Sequence, residues 1–126
     1  MSKRAVTSHL AGGTGGPFPA AADTGKHVFV SMQLPVDAHG RLVDGPAAQQ
    51  ASRVLENIRL HLQVVGLRLD DIVQMTFYLT DLADLQPVDA ALGAAFAAPL
   101  PTRTVVAVAD LPVGAAVGVE AVAVRY

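Results

Sequence analysis

The sequence predicts an α+β domain in which one mixed β-sheet carries two helices on the same face. Three observations carry this. Two segments with helical periodicity alternate with β-branched runs, so helices and strands share one chain. The chain then closes on two successive strands, at about 102–109 and 116–125, instead of repeating a strict strand–helix alternation. Finally, 126 residues with 52% hydrophobic content make one domain, large enough to bury roughly two-thirds of its unfolded surface.

Taken in order, residues 5–10 form a short first strand, and the glycine-rich stretch 11–17 is a loop. Residues 27–34, with Val28, Phe29 and Val30, make the next strand. Asp37-Ala38-His39-Gly40 is a turn signal leading to a short returning arm. A helix runs from about Pro46 to Val65. Pro46 suits a first turn and Gly66 the position past the end. Its apolar residues Ala51, Val54, Leu55, Ile58, Leu62 and Val65 recur at the helical period. Residues 67–71 connect to a β-branched and aromatic strand at 72–80. The second helix starts near Asp81–Asp84, with Asp84 as cap and Pro87 in the first turns, and extends to about Ala98. The order is β-β-α-β-α-β-β. Both closing strands are apolar on both faces, and the two helices cover only one of them. Another copy of the chain is the expected cover for the second.

Composition excludes several classes of function. Eleven acidic and nine basic residues give a net charge of −2, which offers no basic field for nucleic acid. No run of 18 apolar residues could span a membrane. The N-terminus has two cations without an apolar signal core. With no cysteine, disulfides, thiolate metal sites and a cysteine nucleophile are excluded, and the expected compartment is the cytoplasm. Charged residues make up only 16%, well below the usual quarter, as expected where copies of the chain cover part of the surface.

Arg103 is the most informative residue. It stands at the mouth of an otherwise uncharged strand, Thr102 to Ala109, set off by Pro99 and Pro101. Such a strand reads as buried, so its one cation sits either at the solvent edge or where it meets an anion. A guanidinium fork matches a carboxylate at two points. The alternatives are weaker. His9, His27, His39 and His61 show no metal-ligand spacing. The run from Gly12 to Gly16 precedes no phosphate-binding lysine. Ser31 has no His–Asp partner nearby in sequence and reads as a backbone-bonded serine rather than a nucleophile. Asp70-Asp71 reads as a solvated connector. No metal and no cofactor are expected.

Taken together, Gly16-Pro17-Phe18, Val30-Ser31-Met32-Gln33-Leu34-Pro35, Val54-Leu55-Glu56-Asn57, Gly66-Leu67, Asp70-Asp71-Ile72-Val73, Thr80-Asp81-Leu82, Pro101-Thr102-Arg103-Thr104, Leu111-Pro112 and Glu120-Ala121-Val122-Ala123 resemble the RidA family, also called YjgF or L-PSP endoribonuclease. The resemblance spans about residues 15–125. It implies a chorismate-mutase-like fold and a homotrimer whose sheets pack inward as a barrel, with clefts between subunits. It also implies hydrolysis of reactive enamines and 2-imino acids to 2-oxo acids and ammonia. Arg103 then grips the substrate carboxylate, assisted by the backbone amides of Met32 and Val105. Phe18 stands where the family has a pocket tyrosine, Ser31 belongs to the same pocket, and Asp89 occupies a position that is usually asparagine.

Three departures stand beside these matches. The family's water-orienting glutamate falls on Gly118, while Glu120 is a second acidic position on the same strand face, about 6.5–7 Å away. Phe18 lacks the tyrosine hydroxyl. Met32 fills space usually left open by glycine. Two functions follow, a specialised or slow imine deaminase and a non-catalytic trimer that binds small carboxylates. Losing one acid–base group lowers the rate of imine hydrolysis without abolishing it, because a protonated imine is already electrophilic and positioning accelerates it further. Ribonuclease chemistry needs an acid–base pair and phosphate clamps that the sequence does not display.

Overall fold

A computed structural model describes residues 2–13 and 16–126. Met1, Thr14 and Gly15 lie outside the described residues, so the loop expected at 11–17 is described only in part. The strands are β1 (Arg4–Val6), β2 (Ala21–Asp23), β3 (His27–Gln33), β4 (Ile72–Leu79), β5 (Thr102–Ala107) and β6 (Val117–Val124). The helices are α1 (Ala47–Val64) and α2 (Leu85–Gly93). One six-stranded sheet has the order β1-β2-β3-β6-β4-β5. Among the described residues only the β4–β5 pair is parallel. The sheet is therefore mixed, as expected.

The core lies between the sheet and the helices. Val28, Phe77, Leu79, Val117 and Val119 from the strands meet Val54, Ile58 and Leu62 of α1 and Val88 and Leu92 of α2, all nearly or fully buried. Burial of one such side chain is worth roughly 1.5–3 kcal/mol, which explains why both helices dock on this face. Helix α1 ends where the sequence indicates. Gly66 takes φ +75°, its N–H donates to the Gln63 carbonyl, and the Leu67 N–H donates to Leu62, which satisfies two carbonyls of the last turn.

Five expectations are corrected. Strand β2 was not foreseen, since Ala-Ala-Asp carries no strand signal and is recruited by pairing on both sides. Asp84 makes no side-chain cap; Asp81 does, accepting the Ala83 N–H at 2.9 Å and opening a short 3-10 turn that runs into α2. Helix α2 ends at Gly93 rather than Ala98, because Phe96 folds onto the core and the Ala97 N–H donates to Asp70 instead of continuing the helix. Asp70 is therefore a tether and not merely a solvated connector. Strand β5, read as buried, is the edge of the sheet, and in the single chain only Val105 is half-buried.

Candidate functional site

The named residues fall into two groups on opposite faces of the sheet. Arg103 on β5 is in register with Met75 on β4, and paired residues point to the same face. Met75 belongs to the helix-covered core, so Arg103 emerges on the helix side at the open edge. There its guanidinium lies 5.9 Å from the Phe77 ring centroid. Asp89 of α2 reaches back to it, accepting from Nε at 3.0 Å and from Nη2 at shorter range. The fork is thus held at two points by an internal carboxylate. Beside the pair, Met75, Phe77, Leu92, Phe96 and Leu100 line an apolar pocket of about 270 Å³. Val105 follows two residues on, half-buried on the same face.

Phe18, Ser31, Met32, Gly118 and Glu120 form the second group. Glu120 is in register with Thr76 and Gly118 with Tyr78, which puts all four on the face without helices. The pairing of β3 with β6 slips between Val30↔Ala121 and Gln33↔Val119. Ser31 and Met32 together therefore oppose Glu120. Such a bulge re-aims side chains, and here Met32 turns over Gly118. A Cβ on Gly118 would lie 2.8 Å from Met32 Sδ and 3.0 Å from Cγ. The room that a larger side chain needs at residue 118 is taken by the thioether.

Glu120 accepts a hydrogen bond of 2.5 Å from the Tyr78 hydroxyl. Bonding to that carboxylate holds the phenol above its usual pKa, so Tyr78 stays a proton donor. Phe18, Ser31, Phe29, Thr76 and Glu120 line a shallow pocket of about 430 Å³. Phe18 is 87% exposed, an aromatic ring with nothing packed on it in one chain. A second hollow of about 330 Å³ has Ser31, Met32, Gln33 and the buried His61 in its wall. Ser31 presents its hydroxyl at 3.4 Å from Gln33 Nε2.

Arg103 and Glu120 cannot act on one small molecule within a single chain. Two strand spacings, about 10 Å, separate β5 from β6, and the side chains point to opposite faces. Sequence reasoning missed Tyr78, because only sheet register sets it beside Gly118 and against Glu120. It placed Asp89 in the pocket without revealing that Asp89 neutralises Arg103. Among the described residues no three His, Asp or Glu side chains converge as a metal site. Among the described residues no helix is long and apolar enough to cross a membrane.

Comparison with known proteins agrees over the whole length. The family model described as endoribonuclease L-PSP matches residues 11–125. The chain is 38% identical to protein DfrA of Myxococcus xanthus, covering 98% of this chain and 97% of that one. It is 37% identical to the 2-iminobutanoate/2-iminopropanoate deaminase of Salmonella typhimurium, covering 99% of each. Among solved structures, TdcF of Escherichia coli with bound serine superposes with a TM-score of 0.90 at 33% identity, over 98% of this chain and 100% of that one.

Proposed function

We propose, from the premise that the chain belongs to the endoribonuclease L-PSP family, also called RidA or YjgF, that it is a deaminase of reactive 2-imino acids and enamines. It hydrolyses them to 2-oxo acids and ammonia, and it acts in the cytoplasm. The observation that carries this reading is Arg103, a guanidinium at an open sheet edge beside an apolar pocket, in a chain that matches an imine deaminase end to end. The guanidinium holds the substrate carboxylate at two points, with the amides of Met32 and Val105 as further donors.

The reading requires more than one copy. The Arg103 group and the group of Phe18, Ser31, Met32 and Glu120 lie too far apart in one chain, so a homotrimer brings the first group of one subunit to the second group of its neighbour. Phe18, Phe29, Val73 and Val106 are exposed apolar side chains that such an assembly covers. Water then attacks C2 of the protonated imine while carboxylate and water are held in place, a contribution mainly of positioning. Glu120, bonded by the Tyr78 hydroxyl, lies one rung along the strand from the missing glutamate at residue 118.

One observation favours a second reading, a trimer that binds carboxylates without turnover. Met32 occupies the room that a glutamate at Gly118 would need. The deciding experiment measures ammonia and 2-oxo acid from imines freshly generated by an amino-acid oxidase. Release above the uncatalysed rate that disappears in Arg103→Ala supports the deaminase. Binding of 2-oxobutanoate without any turnover establishes the binding protein instead.

A further inference from the structure

From the ion pair at the sheet edge we infer that Asp89 is the specificity-determining residue of this site, selecting ligands that carry an N–H⁺ group next to their carboxylate over plain 2-oxo acids. The inference rests on Arg103 as the carboxylate grip proposed above. Its basis is that the grip already holds a carboxylate. Asp89 accepts one N–H each from Nε and Nη2 of Arg103, which leaves the Nη1 N–H groups and the second Nη2 N–H for a ligand. A substrate carboxylate that binds there shares one cation with Asp89.

That sharing leaves Asp89 free to turn toward the ligand. The Arg103 and Asp89 side chains are 39% and 36% exposed, and ion pairs so open to water are weak, while α2 keeps the carboxylate beside the guanidinium. What it then meets depends on the ligand. A 2-oxo acid brings a second negative charge to one cation and nothing for Asp89 to bond, an arrangement in which like charges oppose each other. A 2-iminium acid carries two N–H donors on the carbon next to its carboxylate. Asp89 passes from the guanidinium to that nitrogen, and both charges remain paired.

The consequence reaches the chemistry. Hydrolysis adds one water across the C=NH₂⁺ bond. The water oxygen bonds to C2, the C=N π pair returns to nitrogen, and C–N cleavage yields the 2-oxo acid and ammonium, with both water protons on the ammonium and no redox change. Only the protonated imine is strongly electrophilic, so a carboxylate against the nitrogen favours the reactive form of the substrate. The same carboxylate disfavours the product, which has lost the nitrogen. In a chain with glycine at residue 118, catalysis shifts from activating the water toward holding the iminium.

Calorimetry on the intact protein at neutral pH tests this with two stable probes, L-2-aminobutanoate, whose ammonium stands in for the iminium, and 2-oxobutanoate. The parent is expected to bind the amino acid at least tenfold more tightly than the oxo acid. Asp89→Asn should abolish that preference, tighten 2-oxobutanoate about fivefold or more, and make the oxo acid a stronger product inhibitor of imine hydrolysis. Asp89→Ala should shift the same way, with melting curves confirming that both variants fold. An unchanged preference in Asp89→Asn and Asp89→Ala overturns the inference, as does a parent that favours the oxo acid. Arg103→Ala separates the two levels. If it loses both probes, the carboxylate grip stands whatever Asp89 does; if it binds both like the parent, the grip itself is wrong.

Discussion

Met32 and Gly118 share one space, and this pair shows how a residue-scale trade alters a site. Gly118 alone does not report a missing acid, because the neighbouring strand has filled the room with a thioether. Gly118→Glu by itself is therefore expected to overpack, costing roughly 1–3 kcal/mol and giving no gain in imine hydrolysis. Met32→Gly reopens the space. The double variant Met32→Gly/Gly118→Glu should raise turnover of small aliphatic imines by about 10- to 100-fold, at or below the lower end of what one acid–base group supplies. Steady-state rates for parent, both single variants and the double variant close a mutant cycle, and additive effects would show that the two positions are not coupled. In the parent, Glu120→Gln should then cost little beyond its bond to Tyr78. A large loss of turnover would assign the water-orienting role to Glu120.

At the scale of elements, the short N-terminal strands are attached by two titratable groups. Asp23 in β2 is almost fully buried and bonds Arg125 and Arg4. Its carboxyl is held down to about 2, chiefly by the Arg125 side chain and then by the Gly25 N–H, against an ordinary 3.8. Because the folded pKa is depressed, the stabilisation is complete above pH 3.8 and disappears as pH falls toward 2. It amounts to roughly 2 kcal/mol. Asp23→Asn should lower the melting temperature at pH 7 and narrow the difference from the parent near pH 2. His61 on α1 accepts the Ser8 N–H through Nδ1 at 3.0 Å, and its Nε2 meets Gln33 Oε1 at 3.0 Å. Burial lowers its pKa from 6.5, so the neutral ring that receives Ser8 is favoured in the fold. That contribution is whole above pH 6.5 and is lost as pH falls through the lowered folded value. Hydrogen exchange of the Ser8 amide, corrected for its intrinsic rate, should therefore lose protection in mildly acid solution in the parent but not in His61→Gln.

The whole molecule presents one covered and one uncovered sheet face. On the uncovered face Phe29 is 48% and Val106 36% exposed, and strand β5 leaves an unpaired edge. Uncovered apolar sheet of this kind is normally an interface. The proposed trimer of three 13.0 kDa chains is expected to bury more than about 2,000 Å² in total, the range of obligate interfaces. Light scattering should give the trimer mass at micromolar concentration. Val106→Asp should shift it toward monomer and, because the two residue groups then separate, abolish imine turnover. A stable, fully active monomer would overturn the assembly and the composite site together.

The amino-acid sequence alone determined the α+β class, the two helices and the strands at β3, β4, β5 and β6, because periodicity, prolines and Gly66 are local signals that survive without context. It also singled out Arg103, since one cation before an apolar strand is visible in any frame. It could not determine what depends on partners distant along the chain. Strand β2 exists only because β1 and β3 flank it. The early end of α2 depends on Asp70, 27 residues before Ala97. The closing strands looked equally buried, yet β6 took the centre of the sheet and β5 its edge, which strand order alone decides. The site divides in the same way. The residues themselves marked Arg103, and the family resemblance marked Asp89, Met32, Gly118 and Glu120, but only tertiary register put Asp89 on the guanidinium, Met32 over Gly118 and Tyr78 on Glu120, because each of those contacts joins separate elements.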